Sequence, residues 1–219
     1  MTNPHPAPSV SVRGEAVLVV EPEIADIDVT VRVRARDRQT ALERCRAVQE
    51  HVTGVLQRAG DAVESAETAA VTVYLEHSHT GPGDPVASQH TRLRVVALDA
   101  VGELVVELGR LDDVEVNGPS WGLRPDSPAY EQARLAAVSD AVRRARSYAA
   151  AFGAELTALL EVSDPGIAGS GVRVAGGMAA MSFEAGDLAL DVTPMRSEVR
   201  GAVEIRFAMS EPEQEVFRG

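Results

Sequence analysis

Lysine is absent from this chain, so all 21 of its Lys and Arg positions are arginine. The 33 acidic residues outnumber the arginines, and the formal net charge is −12. This charge repels nucleic-acid phosphates and anionic lipid head groups over about a Debye length. The composition therefore predicts that nucleic acid is not a partner.

Cysteine and aromatic residues are also scarce. Cys45 is the one cysteine, so the chain cannot form an internal disulfide or a thiolate metal cluster. It falls on the apolar side of a predicted helix, where we expect it to be a small buried hydrophobe. Aromatic residues make up 4% of the chain, so Val, Leu, Ile and Ala must form the core.

Long hydrophobic runs are missing as well. The run AVLVV at 16–20 is typical of the longest, and it is far shorter than the roughly 20 residues that span a bilayer. The first residues, MTNPHPAPSVSV, lack the basic and apolar regions of a signal peptide. We therefore predict no membrane insertion and a cytoplasmic location.

What the chain does have is regular alternation. In EPEIADIDVTVRVRAR, residues 21–36, apolar side chains take every second position and charged or polar ones lie between them. This period predicts a half-buried strand. Further strands are predicted at 10–20, 71–75, 91–98, 114–123, 156–162 and 198–209. The first of them, with a bulge or bend at Gly14, is expected to pair with the 21–36 strand.

Three helices are predicted between these strands. The first follows a cap at Asp37 and stops at Gly60, the second follows Asp99, and the third begins at Ser127-Pro128 and stops at Gly153. This order predicts an α+β fold: a mixed, largely antiparallel sheet of about seven strands with three helices packed on it. We expect a flexible tail at 1–8, one domain at 9–210 and a second tail at 211–219.

The third helix carries alanine at every fourth position. Such a face permits close packing within its own domain, or a contact between subunits. The alanines are Ala133, Ala137, Ala141, Ala145 and Ala149.

Segment 164–195 is rich in Gly, Ala and Met and has little periodicity. It also carries large apolar side chains, including Met178, Met181 and Phe183. A loop of this length inside a domain is unusual unless it has a function. We predict a mobile arm that docks on its own domain or on a neighbouring subunit.

Few residues of the sequence are candidates for catalysis or for binding a metal or a cofactor. His77, His79 and His90 form the best metal-like group, but the composition of residues 77–85 predicts a loop, and a polar hairpin loop is the favoured explanation of these histidines. The Gly-rich stretch GIAGSG at 166–171 does not lead into a helix, as a phosphate-binding loop must. With no catalytic constellation and no cofactor motif, the sequence predicts a protein that is not an enzyme and holds no cofactor.

Two features suggest contacts with partners. Arg32 and Arg34 share a strand face with Asp26 and Asp28, so the charge on this face changes sign along its length. The face is either a solvated surface or a complementary surface where copies of the sheet meet. Trp121 either packs in the core at the end of a strand or anchors an interface.

Four stretches resemble the SIMPL domain family, which is named after a signalling molecule that associates with a mouse pelle-like kinase. They are VRGEAVLVVEPEIADIDVTV, TALERCRAVQEHVTGVLQRAG, AYEQARLAAVSDAVRRARSYAAAFGAEL and TPMRSEVRGAVEIRFAM, which together span about 10–209 in the family's order. The resemblance implies a mostly bacterial family, often exported, with members linked to oxidative-stress tolerance and at least one ring-like oligomer. It implies no catalytic residues.

We therefore expect a non-enzymatic SIMPL-domain interaction or assembly protein that self-associates and has a link to stress tolerance. The alternative is a small-ligand binding module with a cleft between the sheet and the 164–195 arm. Met178, Met181, Phe183 and Trp121 would line that cleft.

Overall fold

The computed structural model describes residues 7–78, 81–164, 193–213 and 215. These residues divide into two compact units. The described residues of the three-stranded unit fall within 7–20, 125–164 and 198–215. Those of the five-stranded unit fall within 21–124 and 193–197.

Eight strands and three α-helices are present in the described residues, so the predicted α+β class is confirmed. The strands are β1 (Ser9–Val20), β2 (Ile24–Arg34), β3 (Val63–Thr68), β4 (Thr72–Ser78), β5 (Gly81–Val95), β6 (Val114–Gly122), β7 (Leu156–Ser163) and β8 (Ser197–Met209). The helices are α1 (Arg38–Ala59), α2 (Val101–Gly109) and α3 (Pro128–Ala151).

The described strands form two sheets rather than the one that was predicted. Their orders are β1-β8-β7 and β3-β5-β2-β6, with β4 pairing with β5. The predicted pairing of β1 with β2 is therefore wrong, because β1 lies beside β8. Alternation specifies which face of a strand is buried, but it does not specify the strand's neighbour.

The core of the five-stranded unit forms where its sheet meets α1 and α2. The valines of β2, Val29, Val31 and Val33, are at most 1% exposed, which confirms the alternation. Ala41 and Cys45 of α1 and the apolar side of α2 pack against them. Burial also raises the pKa of the Cys45 thiol, as does the nearby Asp113 carboxylate, so this side chain is an inert hydrophobe.

The hairpin of β4 and β5 replaces part of a predicted loop. Residues 77–85 were predicted to be a loop from their composition, but β4 continues to Ser78 and β5 begins at Gly81. β3 was not predicted, because almost all of its side chains are exposed and its sequence VESAET has no apolar alternation.

The helix caps explain where α1 and α3 begin. The Asp37 carboxylate accepts a hydrogen bond from the Thr40 backbone N–H at 2.9 Å, and Ser127 accepts one from the Ala129 N–H at 3.3 Å. Both caps were predicted. Asp99 does not cap α2; it lies inside a short 3₁₀ turn, Leu98–Ala100, and Ala100 holds the cap position without a side-chain bond.

Helix α3 lies directly against two glycines of its own unit. A Cβ added at Gly14 of β1 would overlap the Ala137 carbonyl, and one added at Gly201 of β8 would overlap the Ala133 carbonyl. Gly14, where a bulge or bend was predicted, lies inside the continuous strand β1. It permits the close approach of the helix.

The alanine face of α3 packs within the three-stranded unit. Ala137, Ala141 and Ala145 are 0% exposed and pack against Val203 and Phe207 of β8. Of the two interpretations of this face, close packing within its own unit describes the structure. The fully buried alanines are not a free surface for a partner.

Asp140 attaches α3 to β1 and gives the unit a pH dependence. The Glu15 backbone N–H donates to this carboxylate at 3.2 Å and, together with the Arg143 guanidinium, lowers its pKa from the usual 3.8. A carboxylate with a lowered folded-state pKa stabilises the fold fully above the unfolded value of about 4 and loses this effect as the pH falls through the lowered pKa.

We therefore expect Asp140→Asn to lower the free energy of unfolding at neutral pH, with the difference from the wild type shrinking below about pH 4. Urea titrations across an acidic pH series measure this difference. Arg143→Gln retains the stronger bond from Glu15 and should show a smaller loss. A difference that is constant across the acid range would contradict the assignment.

Candidate functional site

The charged side chains of the five-stranded sheet form ion pairs with one another across neighbouring strands. We call this side of the sheet the charged face. In the register of β2 and β5, Asp26 lies opposite Arg94 and Asp28 opposite Arg92. The Arg94 guanidinium donates to Asp26 at 2.9 Å, and hydrogen bonding by that carboxylate raises the pKa of Arg94. Arg92 lies 3.4 Å from Asp28.

The two arginines proposed as interface residues lie at the other end of the charged face. Arg32 and Arg34 both pair with Glu76 of β4, and Arg32 also approaches Glu115 of β6 at 3.9 Å. Their side chains remain 41% and 60% exposed. The sign change predicted from the sequence is therefore balanced inside the sheet, as expected for a solvated face.

The histidine group is not brought together as a metal site by the described residues. His90 lies on β5, where its Nε2 is 3.1 Å from an Asp28 oxygen. The side chain of His77 and all of His79 lie outside the described part of the chain. Among the described side chains, no three His, Cys, Asp or Glu groups are arranged to hold a metal ion.

Trp121 lies in the core. It is 6% exposed and belongs to the apolar cluster of the five-stranded unit, together with Ile27 and Leu108. This position matches the core interpretation and leaves the indole little surface for a partner. Met178, Met181 and Phe183, the other residues suggested for a ligand cleft, lie outside the described residues, as does most of the 164–195 arm.

An exposed apolar surface on β7 was missed by the sequence analysis. Leu159, Leu160 and Val162 are 59%, 50% and 56% exposed, and we call these three side chains the apolar β7 surface. Leu159 is paired with Phe207 and Val162 with Ile205, so these two residues share the sheet face that α3 covers. Phe207 and Ile205 are 9% and 4% exposed.

The position of α3 explains why the β7 side chains are exposed while their partners on β8 are buried. Because the helix contacts Gly14 of β1 and Gly201 of β8, it leaves the inner face of β7 uncovered. The helix residues Leu135 and Val138 are also 60% and 37% exposed. Within the described part of the chain, no element covers this apolar part of the unit.

A groove of about 570 Å³ lies between the C-terminal half of α3 and the start of β7. Most of its lining is apolar, and it continues the uncovered part of the unit. The lining includes Val142, Arg146, Ala150, Leu156, Ala158 and Phe207.

One feature of the sequence does indicate the apolar β7 surface. In LTALLEVS, the adjacent pair Leu159-Leu160 breaks the alternation of apolar and polar residues, so both faces of the strand carry large apolar groups. A strand in the middle of a buried sheet gives the same pattern. The sequence alone could not show that β7 lies at an edge.

No helix among the described residues has the length and apolar character needed to cross a membrane. The described residues form an α+β fold with two antiparallel sheets, and within them the apolar strand β7 lies at a sheet edge.

The chain belongs to the SIMPL family, described as a protein of unknown function (DUF541), whose profile matches residues 10–207. The resemblance seen in the sequence is thereby confirmed. No curated protein matches the chain.

Several solved structures show partial likeness. An unknown protein from Galdieria sulphuraria is 18% identical with a TM-score of 0.29, and the match covers 46% of this chain and 51% of that one. The uncharacterized protein TM1266 from Thermotoga maritima is 17% identical with a TM-score of 0.24, covering 44% and 98%. An amidase of the hydantoinase/carbamoylase family from Burkholderia phymatum is 16% identical with a TM-score of 0.30, covering 46% and 29%.

The chain thus spans about half of the Galdieria protein and under a third of the amidase. At these TM-scores the likenesses carry no conclusion about activity.

Proposed function

We propose that the chain is a non-catalytic interaction protein that self-associates through its three-stranded unit. The observation that carries this proposal is the apolar β7 surface, where Leu159, Leu160 and Val162 are each at least half exposed on one short strand. Scattered apolar side chains are normal on a protein surface, but apolar groups that lie together, as Leu159 and Val162 do on the inner face of β7, are typical of an interaction site.

The free energy gained by burying the apolar β7 surface is similar in size to the free energy that two copies lose when they associate. Fully burying a Leu or Val side chain contributes about 1.5–3 kcal/mol, so six half-exposed side chains from two copies contribute roughly 5–10 kcal/mol. Association loses an estimated 4–15 kcal/mol of translational and rotational freedom, so the two terms are comparable. A micromolar Kd corresponds to a net free energy of about −8 kcal/mol, so the interface must bury further groups besides these six side chains for complexes to form at micromolar concentrations.

The charged face supports self-association less strongly. Its carboxylates and guanidinium groups already pair within one sheet, for example Asp26 with Arg94 and Glu76 with Arg32. Exposed pairs of this kind contribute about 0–1 kcal/mol each. Exchanging them for equivalent pairs with a second copy would add little.

Light scattering across a micromolar concentration series tests the proposal. The mass is expected to rise above the 23.2 kDa of one chain as concentration increases. Added salt should strengthen the association, because it screens the repulsion between copies that each carry a charge of −12. A mass of one chain at every concentration and salt level would contradict the proposal.

A further inference from the structure

We infer that two copies of this chain pair β7 to β7, antiparallel, about a twofold axis close to Leu160. This inference rests on the proposed self-association and names the surface that produces it. The pairing would join two three-stranded sheets into one continuous sheet.

The backbone of β7 is open on one side. In the order β1-β8-β7 this strand is last, so within the described residues its outer edge has no strand partner. The N–H and C=O groups along such an edge can pair with another strand. Twofold pairing satisfies the same set of groups on both copies, because each copy presents an identical edge.

Two edge strands of the five-stranded sheet carry features that discourage pairing. β3 has the acidic residues Glu64 and Glu67, and β6 contains Pro119, which has no N–H to donate. β7 has no proline, no arginine and a single charge, Glu161. That charge is balanced within the unit by Arg206 at 3.3 Å. β7 is apolar and lacks the proline and the multiple charges of those strands, and its register against β8 shifts between Leu156 and Ala158 and between Leu159 and Glu161.

The charge of Glu161 also limits the register in which two β7 strands can pair. If the axis passes at Leu160, Glu161 of one copy lies opposite Leu159 of the other. Moving the axis by one residue, to Glu161, would place the two glutamates directly opposite each other, and like charges in that position are unfavourable. The favourable register therefore brings the large apolar residues of both strands to the centre of the contact.

The positions of the apolar residues and of the single charge along β7 also favour a second copy over an unrelated peptide at this edge. In this register Leu160 lies opposite Leu160 and Val162 lies opposite Ala158, so two β7 strands bring apolar groups together near the axis, while Leu159 lies opposite Glu161. The uncovered inner faces of the two units also become neighbours. Two strands side by side are about 10 Å wide, so the two apolar β7 surfaces form one continuous patch.

A disulfide probe tests the contact in the full-length chain. Cys45 is the only cysteine and is 1% exposed, so the wild type has no reactive thiol. Directly opposed residues of antiparallel strands have Cα atoms about 4.5–5.5 Å apart, a separation that a disulfide can bridge. Under mild oxidation, Leu160→Cys is expected to form a covalent dimer in most of the sample.

Val17→Cys is the matched control, because Val17 is a strand residue of the same unit with a similar exposure of 54%. It should give at least tenfold less covalent dimer than Leu160→Cys. A second variant, Leu160→Lys, should shift the concentration for half association at least tenfold upward while leaving the circular dichroism spectrum unchanged.

The outcomes separate the inference from the proposed function. If the wild type associates but Leu160→Cys cross-links no better than the control and Leu160→Lys associates normally, the β7 contact is wrong and self-association stands. If the wild type is a single chain under all conditions, both are wrong.

Discussion

Replacing Gly201 with alanine is expected to destabilise the three-stranded unit by about 3 kcal/mol, the upper end of the usual range for overpacking, or more. The added methyl group would overlap the carbonyl group of Ala133 and approach the Arg134 nitrogen at 2.9 Å. These atoms belong to the backbone of α3, so no side-chain rotation can relieve the contact. The helix must move away from β8, which loosens the packing of the alanine face.

Gly54→Ala is the matched control for this prediction. Gly54 lies inside α1, and an added Cβ there would meet only the end of the Arg58 side chain, at 3.7 Å. Because glycine inside a helix is less favourable than alanine by about 0.5–1 kcal/mol, this variant should be stabilised. The same chemical change should therefore have opposite signs at the two sites in urea unfolding. Equal effects would show that α3 does not lie against β8 as described.

Trp121→Ala is expected to destabilise the chain by about 3–5 kcal/mol, the usual range for removing a buried large aromatic side chain. Trp121 is 6% exposed in the core of the five-stranded unit, so the truncation leaves a cavity in that core. Thermal or urea unfolding followed by circular dichroism measures the loss, because the variant has no tryptophan fluorescence. Trp121→Phe, which refills part of the cavity, should be intermediate in stability.

The same two variants distinguish the core role of Trp121 from an interface role. A core residue should change the free energy of unfolding and leave the mass of the properly folded complex unchanged. If Trp121→Ala retained full stability but no longer self-associated, the indole would be an interface anchor and the core assignment would be wrong.

Local signals in the sequence predicted local structure well. The alternation in β2 predicted which valines are buried, because a strand's side chains point to opposite faces at every residue. Asp37 and Ser127 were predicted as caps because their side chains reach the free N–H groups of the first helical turn. The family resemblance, carried by four ordered stretches, was also recognisable.

Features that depend on distant parts of the chain were not predicted. Gly14 was interpreted from its own strand, whereas its role is set by Ala137, more than a hundred residues away. β1 was assigned to the wrong neighbour because its partner, β8, comes near the end of the chain. β7 was predicted as a strand, but its exposure depends on where α3 crosses the sheet.

For the candidate site too, the sequence predicted local placement but not contacts with distant parts of the chain. Arg32, Arg34 and the aspartates of β2 were correctly placed on one face, but their partners on β4 and β5 required the register. The apolar β7 surface went unrecognised because Leu159 and Leu160 would look the same in a buried strand.

The glycine contacts of α3 have a further consequence for the way its unit is held together. At Gly14 and Gly201 the hydrogen that replaces a Cβ points at a helix carbonyl oxygen. Carbon-bound hydrogens in this arrangement form weak hydrogen bonds of about 0.5–1 kcal/mol. At these two points the helix therefore meets two different strands through backbone atoms, in addition to the bond between Asp140 and β1 and the packing of the alanine face on β8.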